Sequence, residues 1–354
     1  MIKASVATAS GGVVEFDLPE TLSEIKYRSK LDFDTWSMKI LEYCSETTGE
    51  DFNSSYYLHM MCMALSEFFT SQNTPADCPE KEKAALAVDL TTIYSLDGDK
   101  LLDMNGNLLP EIMQRHIDMY NKSESVDYNQ AEWSLMYMYE HIYKLIASYK
   151  FDSTEKDYSF VYKGEKFKVF AKYRDTLLGI DRYDKVSVGE LAEAFEVTRQ
   201  AQKLWGKADA ASVQLTEVLR LLAILARKKG EVFPMDKSEE WIESRSKYFL
   251  DIDFQSASGV FFLFDSFIEW LRKRSDCKYF FEPPKQSLDI TDEYIRKQLD
   301  ENKAVWDRTG FKSIITRLLE MRAFDEPTKT PLQSIWDADC YKALQLISLK
   351  NAGL

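Results

Sequence analysis

Val13-Val14-Glu15-Phe16-Asp17-Leu18-Pro19 decides the reading of this chain. Gly11-Gly12 before it and the proline after it frame a short β-type segment, because glycine frees the backbone and proline ends a ladder. Beyond it lies a helix expected from Asp32 onward, over about Phe33 to Ser45, with Phe33, Trp36, Ile40 and Tyr43 spaced as one face. The arrangement recurs when Phe167-Lys168-Val169-Phe170 leads toward a helix opening at Ser187. Two related halves follow as the expectation, each a short β-hairpin element followed by a helical bundle. The expected class is α+β, predominantly α-helical.

Length supports two bodies, since 354 residues is more than a single core comfortably organises. The polar stretch 150–158 is the expected boundary, which assigns residues 1–150 to the first domain and 151–354 to the second. In the first, helices are expected at about Ser55 to Ser71 and Glu132 to Tyr149, with a small hairpin or meander around Asp97-Gly98 and Asn105-Gly106. The second opens with a hairpin whose loop is read as the four residues Lys163-Gly164-Glu165-Lys166. Ser187 and Glu190 have capping-box spacing, in which each side chain reaches a free amide at the helix start. Ser212 to Lys229 reads as a helix ending in Arg227-Lys228-Lys229 with Gly230 as its C-cap. Helices at about Ser238 to Phe249, Ser256 to Arg274, Thr291 to Ala304, Phe311 to Met321 and Pro331 to Leu349 complete an α-rich second half.

Charge limits the partners. With 58 acidic against 45 basic residues the chain carries −13, which repels phosphate backbones, so general nucleic-acid binding is not expected. Arg272-Lys273-Arg274 is the best basic patch, and it is short. The most apolar run, Val260 to Phe264, is interrupted at Asp265 and again at Glu269, far short of the ~20 residues that span a bilayer, so no membrane span is expected. The amino terminus lacks the apolar core of a signal peptide. Five scattered cysteines, an odd number without a C-x-x-C pair, fit reduced thiols in a cytoplasm.

Catalytic signatures are missing. Asp103 to Asn107 has the closely spaced oxygens of a cation loop, but the sixth position is Leu108 and the twelfth Gln114, so a β-turn explains it better than an EF-hand. His59, His116 and His141 are far apart and form no zinc motif. Neither a Walker loop nor a dinucleotide fingerprint nor a nucleophile elbow occurs. Glu239-Glu240 and Asp251/Asp253 could be posed as acid and base, yet solvated acidic faces are the commoner meaning of such pairs. The expectation is a non-enzymatic protein with no cofactor, no metal and no catalytic residue.

Aromatic content is the unusual quantity, at 19 Tyr, 21 Phe and 7 Trp. The stripes Trp133 to Tyr149 and Phe261 to Trp270 carry more rings than one narrow helix face can bury, and aromatic residues are favoured at the centres of interfaces. Trp133, Tyr137, Tyr139, Tyr143, Phe261, Phe262, Phe264 and Trp270 are therefore the candidate interface.

The string from Val14-Glu15-Phe16-Asp17-Leu18-Pro19 through Glu24-Ile25-Lys26-Tyr27 to Asp32-Phe33 resembles the opening of small virion and tail-assembly proteins of tailed bacteriophages, especially crAss-like phages of Bacteroides-type hosts. Phe160 to Val197 is similar in layout. The resemblance covers about a fifth of the chain and carries over no functional residue. It implies a virion structural or assembly protein, such as a neck or tail ring component or a packaged internal protein. Such a protein would be made in the host cytoplasm and partnered by other phage virion proteins and by copies of itself. A cytoplasmic assembly chaperone or regulatory adaptor is the alternative, and a hydrolase whose site is assembled from distant residues is the other.

Overall fold

The computed structural model describes residues 1–7, 13–47, 49–88, 90, 130–151, 158–169, 171–175, 180–184, 186–204, 206, 209–231, 233–234, 237–277, 280 and 313–351. The expected meander at 93–107, the Asp103 to Asn107 string, His116 and the expected helix at 291–304 lie outside them. The chain is α+β and predominantly helical, and it divides into two compact units. The first comprises residues 1–150 and 250–256, the second residues 151–249 and 257–354.

The first unit opens with a hairpin of β1 (Ile2–Ala7) and β2 (Val13–Leu18), paired antiparallel from Ile2↔Leu18 to Ala7↔Val13. β2 therefore has its partner in the amino-terminal segment, where no strand is expected from the sequence. Helices α1 (Tyr27–Glu46), α2 (Ser54–Asn73), α3 (Glu80–Ala85) and α4 (Gln130–Ala147) follow. α1 starts six residues earlier than its apolar spacing indicates. Its first turn is polar in sequence but anchored from outside: Gln72 accepts from the Lys26 N–H at 3.0 Å and donates to the Glu24 carbonyl at 2.6 Å. Residues 250–256 add to the anchor, since the Tyr27 N–H donates to the Ile252 carbonyl and the Phe254 N–H to the Ile25 carbonyl, at 2.8 and 2.6 Å. The core is aromatic, with Phe33 against Phe68 at 5.9 Å and Tyr139 at 5.1 Å, and Phe16 of β2 against Phe69 at 4.9 Å.

In the second unit β3 (Ser159–Tyr162) and β4 (Glu165–Lys168) form the expected hairpin, but its loop is two residues rather than four. Lys163 and Gly164 have φ of 50° and 77°, the positive pair of the primed turns whose twist matches the strands, so Glu165 and Lys166 pair with Tyr162 and Val161. The second hairpin, β5 (Ala171–Asp175) with β6 (Ile180–Asp184), was not expected. Helix α5 (Val188–Leu204) begins at the predicted capping box: the Ser187 N–H donates to Glu190 at 3.0 Å and the Glu190 N–H to the Ser187 hydroxyl at 3.1 Å.

α6 (Ala210–Leu225) ends four residues before the expected end at Lys229, so the basic cluster Arg227-Lys228-Lys229 lies outside it. Arg227–Lys228 instead forms β7, which pairs with Phe167 and Lys168 and makes β4 the centre of a three-stranded sheet. α7 (Glu239–Tyr248), α8 (Phe254–Lys273), α9 (Ser313–Glu320), α10 (Pro331–Trp336) and α11 (Cys340–Asn351) follow. The single helix expected from Pro331 to Leu349 is thus two. The break at 337–339 arises because the Val188 N–H donates to the Ala338 carbonyl and the Cys340 N–H to the Val186 carbonyl, at 2.9 and 3.0 Å, while Asp339 caps the restart through the Lys342 N–H. Phe160, Phe167 and Phe249 cluster under the sheet, with Phe167 5.4 and 5.2 Å from the other two rings.

Candidate interaction surface

The connection from α1 to α2 builds the best-defined surface feature. Tyr43, near the end of α1, fixes it: its hydroxyl accepts from the Asn53 N–H at 2.6 Å and lies 3.4 Å from the Asn53 carbonyl. The Asn53 side chain in turn accepts from the Tyr56 N–H at 3.2 Å, which caps α2. With both ends tied, Phe52 lies 5.6 Å and Tyr56 5.0 Å from the Tyr43 ring, and Tyr57 5.7 Å from Phe52. Burial raises the pKa of the Tyr57 hydroxyl, and Cys44 and Glu140 add to it. On α4 itself, Tyr143 stacks on Tyr139 at 6.2 Å.

Phe52, Tyr56 and Tyr143 are 40, 42 and 43% exposed, large fractions for rings held this firmly. Exposed Glu42, Glu46, Asp51 and Glu140 belong to the same elements and make the surroundings acidic. A rigid aromatic group bordered by carboxylates presents area that costs little side-chain entropy to bury.

The residues expected at an interface separate into two kinds. Tyr137 and Tyr143 are exposed on α4, with Tyr137 stacked on His141 at 6.2 Å, and Phe262 is exposed on α8. Phe261 and Trp270 are half-buried, Phe261 against Phe262 at 5.6 Å and Trp270 against Tyr341 at 5.1 Å. Trp133 lies on α4. Tyr139 and Phe264 correct the expectation, because both are buried within their own units. Tyr139 packs on Phe33 and donates to the Ser37 hydroxyl at 3.1 Å, and Phe264 meets Phe195 edge-on at 6.0 Å. α4 and α8 are each packed on more of their circumference than one stripe implies. Phe52 was missed because it sits in a connection, where helical spacing says nothing, and Tyr56 because it lies in the first turn of α2, beside rather than on a broad aromatic stripe.

The polar residues singled out in the sequence have structural partners. His141 shares a hydrogen bond of 2.7 Å with the Pro19 carbonyl, and His59 is half-buried on α2. Asp251 pairs with Lys26 at 3.4 Å and Arg28 at 3.0 Å. Burial pushes its pKa up, but these cations more than offset that and leave it below the ordinary value. Asp253 is raised by burial and caps α8 through the Ser256 N–H at 2.8 Å. Glu239 pairs with Arg220 at 2.6 Å. The basic patch is tied down too, Arg272 to Glu269 at 3.1 Å and Arg274 to Asp276 at 3.0 Å.

Around Phe233 in the second unit, three ion pairs converge: Lys237 with Glu193, Arg227 with Glu190, and Arg245 with Glu231, the last at 2.6 Å. The Arg227 and Arg245 guanidinium carbons lie 4.5 and 4.6 Å from that ring. Each carboxylate there already has its cation, so the cluster holds elements together and offers no free base. Among the described residues, no group of three or more His, Cys, Asp or Glu is placed to hold a metal, and no helix is long and apolar enough to cross a membrane. The chain matches no known protein family, and neither a curated protein nor a solved structure is similar to it.

Proposed function

We propose that this chain is a non-enzymatic assembly protein, working by binding other proteins through the acid-bordered aromatic surface of its first unit. The observation that carries the reading is the exposed pair Phe52 and Tyr56, held in place by the Tyr43–Asn53 bonds and the ring contacts with Tyr43. Aromatic side chains fixed before binding are the anchors that dominate interface energetics. The net charge of −13 favours a partner whose contact surface is basic, and gives long-range attraction that weakens with salt.

The likeness of Val14 to Phe33 to tail-assembly proteins of tailed phages supplies the context: a neck or tail ring component, or a packaged internal protein, acting with copies of itself and with other virion proteins. Mass spectrometry of purified particles, paired with light scattering of the isolated chain, tests this. A fixed number of copies per particle supports a structural component. Absence from particles, with a monomer in solution, overturns the virion reading in favour of a chaperone or adaptor. The double variant Phe52→Ala, Tyr56→Ala is expected to weaken self-association or partner binding at least about tenfold while keeping the far-UV circular dichroism of the parent. Unchanged association would remove this surface from the proposal.

A further inference from the structure

Helices α5 and α6 do not close completely on one another. Val197, Ala201 and Leu204 of α5 face Val213, Thr216 and Glu217 of α6 across a cavity of about 240 Å³. Small residues at Ala201 and Val213 leave the space, because the side-chain ridges of two packed helices fill the groove between them only where they are long enough. The walls are largely apolar and the polar feature is specific. Glu217 lines the cavity at only 7% exposure.

Among the described residues no cation pairs with Glu217. Arg220 lines the same cavity one turn further on; one of its amino groups pairs with Glu239 at 2.6 Å, and its buried Nε has no hydrogen-bond partner among the described residues. Thr198 is the hydrogen-bonding neighbour of the carboxyl, and its hydroxyl also lies 3.4 Å from the Ala194 carbonyl. A carboxylate has about four acceptor sites, so most of its capacity is unused. The two buried carboxyls on the facing helix, Glu190 and Glu193, have Arg227 and Lys237 as partners. Among the described residues of this helix pair, Glu217 is the buried carboxyl that lines the cavity without a paired cation.

We propose that this cavity binds a small amphipathic amine, its ammonium on Glu217 and its hydrocarbon body against Val197, Ala201 and Val213. An ammonium supplies the charge and donors that the carboxyl lacks, and a charge-assisted bond to a buried carboxyl at the base of a half-open, largely apolar groove is stronger than one on the open surface. The volume lies between the ~150 Å³ that holds a benzene ring and the ~300 Å³ where drug-sized pockets begin, which sets the ligand at roughly ten non-hydrogen atoms. An arylalkylamine or a short branched alkylamine has that size.

Titration calorimetry of the full chain with phenethylammonium and with 2-phenylethanol, its neutral counterpart, tests the assignment. The amine is expected to bind about tenfold or more tightly than the alcohol, and Glu217→Gln to bring it down to the level of the alcohol. Leu204→Trp, which fills the mouth of the cavity from an exposed position, is expected to abolish binding of both, and it keeps the test decisive should the glutamine variant fail to fold. Equal affinity for amine and alcohol, retention of the amine by Glu217→Gln, undiminished binding by Leu204→Trp, or no binding to the parent chain would each overturn the proposal.

Discussion

At the scale of single residues, two carboxyls have opposite pH signatures. Burial holds Glu217 above its ordinary 4.5, so the folded protein binds a proton that the unfolded chain has released, and stability falls as pH rises from there through the raised value. Glu217→Gln removes that penalty. Denaturant midpoints should show the variant more stable than the parent at pH 7, with the gain vanishing below about pH 4, where the carboxyl is neutral in both states. Asp276 has the reverse sign. Burial would raise it, but Arg274, the Tyr341 hydroxyl and Gln345 at 2.7 Å more than offset that and hold it at about 2. Its contribution is complete above about pH 4 and is lost as pH falls toward 2. Asp276→Asn should therefore cost about 1 kcal/mol at pH 7, after discounting for solvent screening of a partly exposed group, and almost nothing at pH 2. Lys237 carries a larger consequence, since its side chain and that of Glu193 are only 1 and 3% exposed. Lys237→Met leaves an uncompensated buried carboxylate and should destabilise by roughly 3–5 kcal/mol, whereas the double change Glu193→Leu, Lys237→Met should recover most of that loss.

At the scale of elements, local chemistry decides starts and turns. Gly164 at φ +77° makes the two-residue hairpin loop possible, and Gly164→Ala should cost about 1 kcal/mol, read as a lowered melting temperature. Gly259 on α8 is required for a different reason: a Cβ there would meet the Tyr158 hydroxyl at 1.7 Å. Gly259→Ala should destabilise, and adding Tyr158→Ala should relieve the clash at the expense of the ring's own packing. Helix starts were legible where a capping side chain marks them, because that signal is short-range, whereas the start of α1, anchored by Gln72 and residues 250–256, was not. Ser187 with Glu190 is a capping box, and Ser238 accepts from the Trp241 N–H at the first turn of α7, where a helix was expected. Ends were less legible. Arg227-Lys228 has the composition of a helix C-terminus, and it became a strand because β4 was left with an open edge beside it. Composition at the end of one element does not register an unpaired edge about sixty residues earlier.

At the scale of the whole molecule, the chain returns to its first unit at 250–256 after passing through the second. Ile252 and Phe254 are buried, and their backbone groups bond to Ile25 and Tyr27. A fragment ending at Lys150 lacks these partners, so residues 1–150 alone should show a broad, low-temperature unfolding transition rather than a cooperative one. By itself the sequence determined the α+β, mainly helical class, the positions of most described helices and the acidic charge, because periodicity, caps and composition act within a few residues of each position. Tertiary structure alone decided that Ile2–Ala7 is a strand, that 337–339 interrupts a helix and that 250–256 belongs with Tyr27. It alone also decided which rings are buried, as Tyr139 and Phe264 are, and which are displayed, as Phe52 and Tyr56 are. Each of those outcomes depends on partners distant in the chain, and only the folded backbone brings such partners within reach of a hydrogen bond or a packed ring.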